Sequence, residues 1–479
     1  MMKKCLILFV LFVGVGLLPA EVRSLWVLPW NITSPQAIDK VIEDALAANQ
    51  NELLLEIRYR SDALYTTNKN GNRYFNPEPR SYILKDAVFD PLDYAITAAH
   101  AKNLKVQAWV VVFNATPTAK ELVANNHIYN NYPQWITYDK DGRQMRSAEQ
   151  FGYFIDPGIP EVQEYLLDVF SDIVAGYPQL DGLHLDYIRY PSSQWGYHPT
   201  SLARLDEARK NGEIISWNEW RTRQVTEFVE KCYNRIKSID PDIMLSAAVF
   251  SNIYDARTAY AQDWYDWLDK GIIDRIYPMA YHLDYDNFRN QILNMKEQAQ
   301  DHKIVVGLRA WDAKGKSLMP LDNPSYNISH INKRISLIRE GGFAGISLFS
   351  YDGIIRNNAL SSLVNLAYPE LEPEVVPEPE LALPIKSVNA ELTMVAGSYV
   401  LQLELPAEGR WNWEIMNHYG EVLYSRQRSY FLGYNEEYFS GLKDSGESIP
   451  HGTYILSVYR AEEPYRYFIP LHLGVSPGE

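Results

Sequence analysis

The sequence predicts an α/β protein: a (β/α)8 TIM barrel followed by a small C-terminal all-β Ig-like sandwich. Three observations carry the prediction. Eight short β-rich apolar runs alternate with helix-patterned stretches, the rhythm of parallel strands joined by crossover helices. No glycine fingerprint follows the first run, as an open dinucleotide-binding sheet would require, and eight units over about 340 residues match barrel size. A proline- and acid-rich stretch then separates these units from a run of short strands.

The expected barrel strands are Arg23–Trp30, Glu52–Tyr59, Lys105–Asn114, Gly182–Ile188, Met244–Phe250, Arg275–Ala280, Ile304–Leu308 and Ala344–Phe349. The first crossover helix has Ser34 as its cap and Pro35 in its first turn. Ile38, Val41, Ile42, Ala45 and Leu46 lie on the face turned to the barrel. Asp90-Pro91 and Pro160-Glu161 mark later helix starts, and Trp217–Ser238 a further helix. Residues 368–385 contain five prolines among many acids, which favours an extended spacer. Beyond it, SYVLQLEL, WNWEIMNH, EVLYSRQ, GTYILSVYR and YRYFIPLHL are short strands separated by turns. The expected division is therefore a signal peptide at 1–20, a barrel at 21–367, a linker at 368–385 and a β-sandwich module at 386–479 that offers a docking surface.

Lys3 and Lys4, an apolar stretch from Leu6 to Leu18 and the small-residue end at Pro19-Ala20 follow the order of a secretory signal. That stretch falls short of the roughly 20 residues needed to span a bilayer. A secreted or periplasmic location is expected, with no membrane span after cleavage. The formal charge of −15, more negative still without Lys3 and Lys4, argues against a nucleic-acid partner. Cleavage after Ala20 would leave Cys232 as the remaining cysteine, so no intrachain disulfide is expected.

Barrel chemistry belongs at the C-terminal ends of the strands and the loops that follow them. Loops 115–160 and 191–216 far exceed ordinary connections and should wall a groove there. Their aromatics, Trp135, Tyr138, Trp195, Tyr197 and Trp217, suit either sugar stacking or loop packing. In DGLHLDYIRYP, Asp181 to Pro191, alternation turns Leu183, Leu185 and Tyr187 to the helices and His184 and Asp186 to the interior. A carboxylate at that strand end is costly unless paired, hydrogen-bonded or used, which makes Asp186 the leading catalytic candidate. An ion pair with Arg58 or Arg189 is the structural alternative. His184, one layer deeper, serves equally as a core histidine. Glu56, Arg58 and Arg60 alternate with Leu55, Ile57 and Tyr59 on strand two and should share the interior. Glu56 is a second catalytic candidate, or a partner for Arg58. Arg58, Asp62, Trp109, Arg189 and Tyr281 are candidate substrate contacts, and Asp284, Asp312 and Asp352, each following a later strand, could approach Asp186 across the mouth. No metal spacing, nucleophile elbow or phosphate loop is present, so no metal or cofactor is expected.

The ordered blocks EIRYRSDALY, FDPLDYAITAAHAKNLKVQAW, IDPGIPEVQEYLLD, DGLHLDYIRYP and RIYPMAY resemble the bacterial glycosyl-hydrolase-like family ten, exported barrel proteins associated with cell-wall and other glycans. The resemblance spans the barrel and omits the C-terminal module. It implies hydrolysis of a glycosidic bond, with peptidoglycan glycan strands or another polysaccharide as partner. The family's strand-four aspartate falls on Asp186, its strand-two arginine on Arg58 and its following aspartate on Asp62. Where many relatives carry a second acid this chain has Tyr187, and where they carry a histidine it has Gln107. A catalytically silent glycan-binding protein is therefore the rival expectation, and a scaffold docked through 386–479 a third.

Overall fold

The structure is a computed structural model. It describes residues 21–69, 71, 73–85, 88–116, 123–146, 152–282, 284–298, 301–310, 328–356, 388–395, 398–405, 409–417, 421–430, 433–443, 445, 447–460 and 466–473. The expected signal, the linker and Asp312 lie outside them.

Eight parallel strands close into a barrel. They are β1 (Val22–Val27), β2 (Glu52–Tyr59), β4 (Lys105–Val111), β5 (Gly182–Asp186), β6 (Met244–Phe250), β7 (Arg275–Met279), β8 (Val305–Arg309) and β9 (Gly345–Phe349), with the short β3 (Asp62–Ala63) folded back antiparallel on β2. Closure is made by β1, which pairs with both β2 and β9. Strand alternation divides the apolar side chains between two cores. Leu25, Val27, Leu53, Leu55, Val106, Ala108, Leu183 and Leu185 pack outward in the core shared with the helices. Trp26, Leu54, Trp109, Ala248, Tyr277 and Val305 fill the interior.

Local chemistry sets the helix starts as the sequence suggests. Ser34 Oγ accepts from Ala37 N at 3.2 Å to cap the helix Pro35–Ala47, whose buried stripe is Ile38, Val41, Ile42 and Ala45. Leu46 lies at the edge of that stripe and is exposed. Asp90 caps Pro91–His100, and Ser216 with Glu219 forms a capping box for Trp217–Ile239.

The C-terminal strands are β10 (Asn389–Val395), β11 (Ser398–Leu405), β12 (Gly409–Met416), β13 (Val422–Tyr430), β14 (Gly433–Phe439), β15 (Gly452–Arg460) and β16 (Arg466–Leu473). They form two antiparallel sheets, β10-β11-β14 and β13-β12-β15-β16. Leu401, Leu403 and Phe439 from one sheet and Trp411, Trp413, Leu456 and Val458 from the other share a single core. Strand alternation thus builds a sandwich.

Candidate functional site

The barrel floor is a buried polar relay, and it accounts for His184. The Trp26 indole N–H can only donate, and it gives its hydrogen to His184 Nε2 at 3.1 Å. The proton of the imidazole therefore lies on Nδ1, 2.8 Å from Ser246 Oγ. Ser246 donates to Gln107 Oε1 at 2.7 Å, Gln107 Nε2 to Tyr277 Oη at 3.0 Å, and Tyr277 to Glu52 Oε1 at 2.6 Å. Ser24 and Arg275 also bind Glu52. His184 is fully enclosed, and burial lowers its pKa to about 3. It is a neutral, fully hydrogen-bonded core histidine, the structural one of its two readings. Gln107 belongs to the same relay.

Above the floor, β5 ends at Asp186 and the chain turns at Tyr187, whose φ of 52° is left-handed. Asp186 Oδ1 accepts from the backbone N–H of Tyr187 at 2.6 Å, and Oδ2 accepts from Trp109 Nε1 at 3.2 Å. Arg189 Nη1 lies 3.6 Å from Oδ1. That guanidinium is held over the rings of Tyr187 and Phe250, with centroids at 4.4 and 4.6 Å. Burial pushes the Asp186 carboxyl above its usual range, while Arg189 and the two N–H donors oppose the rise. Of the two arginines considered as partners for Asp186, the pair is formed by Arg189.

Glu56 is the other interior acid of this layer. Its carboxyl is raised well above the ordinary value, first by burial and then by the negative charge of Asp186, with Arg60 pulling the other way. Glu56 thus lies within the electrostatic reach of Asp186, and the arginine named as its possible partner is engaged elsewhere. Arg58 departs from the expected shared face. The β2–β4 register runs Glu56↔Trp109 and then Arg58↔Val110, so an extra residue at Ile57 breaks the alternation. Arg58 instead binds Glu78 through Nε at 2.9 Å and Nη2 at 2.5 Å, together with Ser61 Oγ and the Val111 and Val112 carbonyls. It is wholly enclosed, and its ion-pair partner is Glu78 rather than Asp186. Glu78 lies in the loop after β3, where nothing in NPEP distinguishes it from a surface acid.

Asp62 is 1% exposed, its Oδ2 has no hydrogen-bond partner, and His127 Nε2 is 3.9 Å from its Oδ1. Burial, followed by the charge of Glu78, raises its pKa to about 8, against the pull of Arg58. Trp109 touches both the acid layer and Phe349, 6.4 Å between centroids, and Phe349 stacks with Tyr281 at 5.5 Å and 23°. Asp284 is exposed and accepts from Asn287 N at 2.8 Å at the start of the helix Tyr285–Gln298, so its role is a helix cap. Asp352 is clamped by Trp30 and Asn31 and does not approach Asp186 as a free acid. The long-loop aromatics pack on one another. Trp135 stacks on Tyr132 at 4.0 Å, Tyr197 on Trp217 at 4.5 Å, and Tyr138 meets His198 edge-on at 5.3 Å. Trp195 is buried, on a strand bridge that ties Asp139 of the first long loop to the second. Asp156 pins the same junction by accepting from Thr137 Oγ1, Gly158 N and Tyr190 Oη.

Among the described residues no group of three His, Cys, Asp or Glu side chains could hold a metal ion, and no helix is long and apolar enough to cross a membrane.

The closed parallel barrel carries two buried acids, Glu56 and Asp186, in its interior, and the class of the protein follows from its family. The family model Glycosyl hydrolase-like 10 matches residues 21–316, and the chain belongs to that family. The glycosyl hydrolase DigH of Escherichia coli K12 is 29% identical over 219 residues, 40% of this chain and 46% of that protein. The glycosyl hydrolase YngK of Bacillus subtilis 168 is 24% identical over 362 residues, 67% of each chain. The chain thus spans under half the length of DigH. Among solved structures, the β-galactosidase of Marinomonas ef1 superposes with a TM-score of 0.50 at 12% identity, covering 69% of this chain and 54% of that one. That likeness is one of fold.

Proposed function

We propose that this chain is an exported glycoside hydrolase that cleaves the glycan strands of peptidoglycan, with Glu56 and Asp186 as its working acids. The observation that carries the reading is the coupling of these two interior carboxyls, each raised by burial and Glu56 raised further by Asp186. Glycoside hydrolysis needs one carboxyl protonated and one ionised. Glu56, to which no hydrogen bond is donated among the described residues, is the proton donor to the leaving oxygen. Asp186, held by Trp109, the Tyr187 N–H and Arg189, stays ionised and supplies an electron pair, to the anomeric carbon or to the proton of an attacking water. This second acid comes from strand two, so a tyrosine at 187 leaves the mechanism complete. Membership of a glycosyl-hydrolase-like family and the names of the two relatives support the reaction class. The N-terminal order of charge, apolar stretch and small residues supports export.

The test is release of new reducing ends from peptidoglycan glycan strands. Asp186→Asn and Glu56→Gln should each retain strands on pull-down while turnover drops by roughly 10²- to 10⁴-fold. Near-wild-type turnover in either variant would move the chemistry elsewhere. If the wild type retains strands yet releases nothing, the chain is a glycan-binding protein.

A further inference from the structure

Among the described residues, Trp30 is the one tryptophan among the exposed large apolar side chains, with 49% of its surface open. It belongs to the single 3-10 turn Pro29–Asn31 that follows β1, on the same end of the barrel as Asp186. Its only polar atom is already engaged, because Nε1 donates to Asp352 Oδ2 at 2.7 Å. The other oxygen of Asp352 accepts from Asn31 Nδ2 at 2.9 Å, so one carboxylate grips two successive residues of the turn.

The grip is itself anchored. Asp352 lies in the first turn of the helix Tyr351–Arg356, and the neighbouring Tyr351 hydroxyl donates to the buried Asp44 at 2.8 Å. The indole plane is thereby fixed from two helices before any ligand arrives, so little side-chain freedom is left to lose on binding. A loop staple would need the hydrogen bond alone and would leave no reason for a large ring to face water. The exposed ring offers no donor, only a flat π-face, which complements the C–H face of a pyranose.

Its position agrees. Strands β1 and β9 are neighbours, and Phe349 at the end of β9 packs 6.0 Å from Trp26 and 6.4 Å from Trp109, whose indole binds Asp186.

We propose that Trp30, oriented by Asp352, is a sugar-binding subsite that stacks a pyranose ring of the glycan on the β9–β1 rim, beyond the ring being cleaved. Asp352 is its positioning residue. This rests on the glycosidase reading above and gives the bound strand a direction, from the acid pair toward the first strand.

The test uses the full chain carrying Asp186→Asn, so that binding is read without turnover, and soluble glycan strands prepared from bacterial peptidoglycan, measured by titration calorimetry. Trp30→Ala should weaken binding about tenfold, the magnitude of one lost aromatic stacking contact. Trp30→Phe, which keeps a ring and loses the hydrogen bond, should stay within about threefold of the parent. Equal binding by parent and Trp30→Ala overturns the subsite while leaving the glycosidase reading intact. Equal weakening by Ala and Phe overturns it too, since the residue is then a loop staple. No binding by the parent overturns the glycosidase reading and the subsite with it.

Discussion

Asp62 shows how a single side chain can set the pH range of the fold. Its carboxyl is enclosed, one oxygen lacks a partner, and its pKa is about 8. The unfolded chain gives up that proton near the ordinary value of 3.8. Between those two values the native state therefore holds more protons than the unfolded state, and stability falls as pH rises through the window. Asp62→Asn removes this dependence. Its melting temperature relative to wild type should climb from pH 4 to pH 8, by roughly 5 °C in all, and level off above. A difference that stays flat across the range in a calorimetric series would show that Asp62 is ionised in the fold throughout. At this scale Asp186 was legible in the sequence, because a charged residue closing a buried strand has few bland explanations. His184 was half legible: alternation gives its depth, but its partners Trp26 and Ser246 come from strands far away in the chain.

Within single elements, the bulge in β2 decides what Arg58 does. A period of two predicts that Glu56 and Arg58 share a face, and the extra residue at Ile57 separates them. No residue type in ELLLEIRY announces that irregularity, so alternation gave the face of the acid but not that of the arginine. Its pair with Glu78 has both side chains at 0% exposure. Removing one partner strands a buried charge, so Glu78→Ala should cost about 3–5 kcal/mol in urea unfolding. Replacing both, as Arg58→Met with Glu78→Leu, should cost clearly less than the sum of the two single changes. Additive losses would mean that the two side chains act independently. The helix starts named from the sequence were legible, because Ser34, Asp90 and Ser216 announce themselves through chemistry confined to one turn, whereas the helix Pro199–Lys210, inside the stretch read as loop 191–216, was not. The long-loop aromatics were not. The same ring serves a sugar or another ring, and only the partner separates the two, as Tyr132 under Trp135 does.

For the molecule as a whole, the barrel and the C-terminal sheets each enclose an apolar core of their own. The sequence places its proline-rich segment at 368–385. Limited proteolysis should therefore cut first within that segment and leave two resistant fragments, identified by mass spectrometry. Early cuts scattered through 388–473 would show that the β-strands depend on the barrel for their order. The architecture was the most legible level, since eight repeats of one pattern outvote an error in any of them. Trp30 was the least legible. Its exposure and its clamp join residues 322 positions apart, and a strand-end tryptophan reads in sequence as one more core residue.

The floor of the barrel has a consequence for protons. Each member of the line from Trp26 through His184, Ser246, Gln107 and Tyr277 hands a hydrogen to the next, and the line ends on the Glu52 carboxylate. A proton could travel along it only if every member could also receive one from behind. The indole of Trp26 has no lone pair to receive with, so it acts as a stopper at the head of the wire. This line of hydrogen bonds therefore offers no through-path for a proton from its Trp26 end to Glu52.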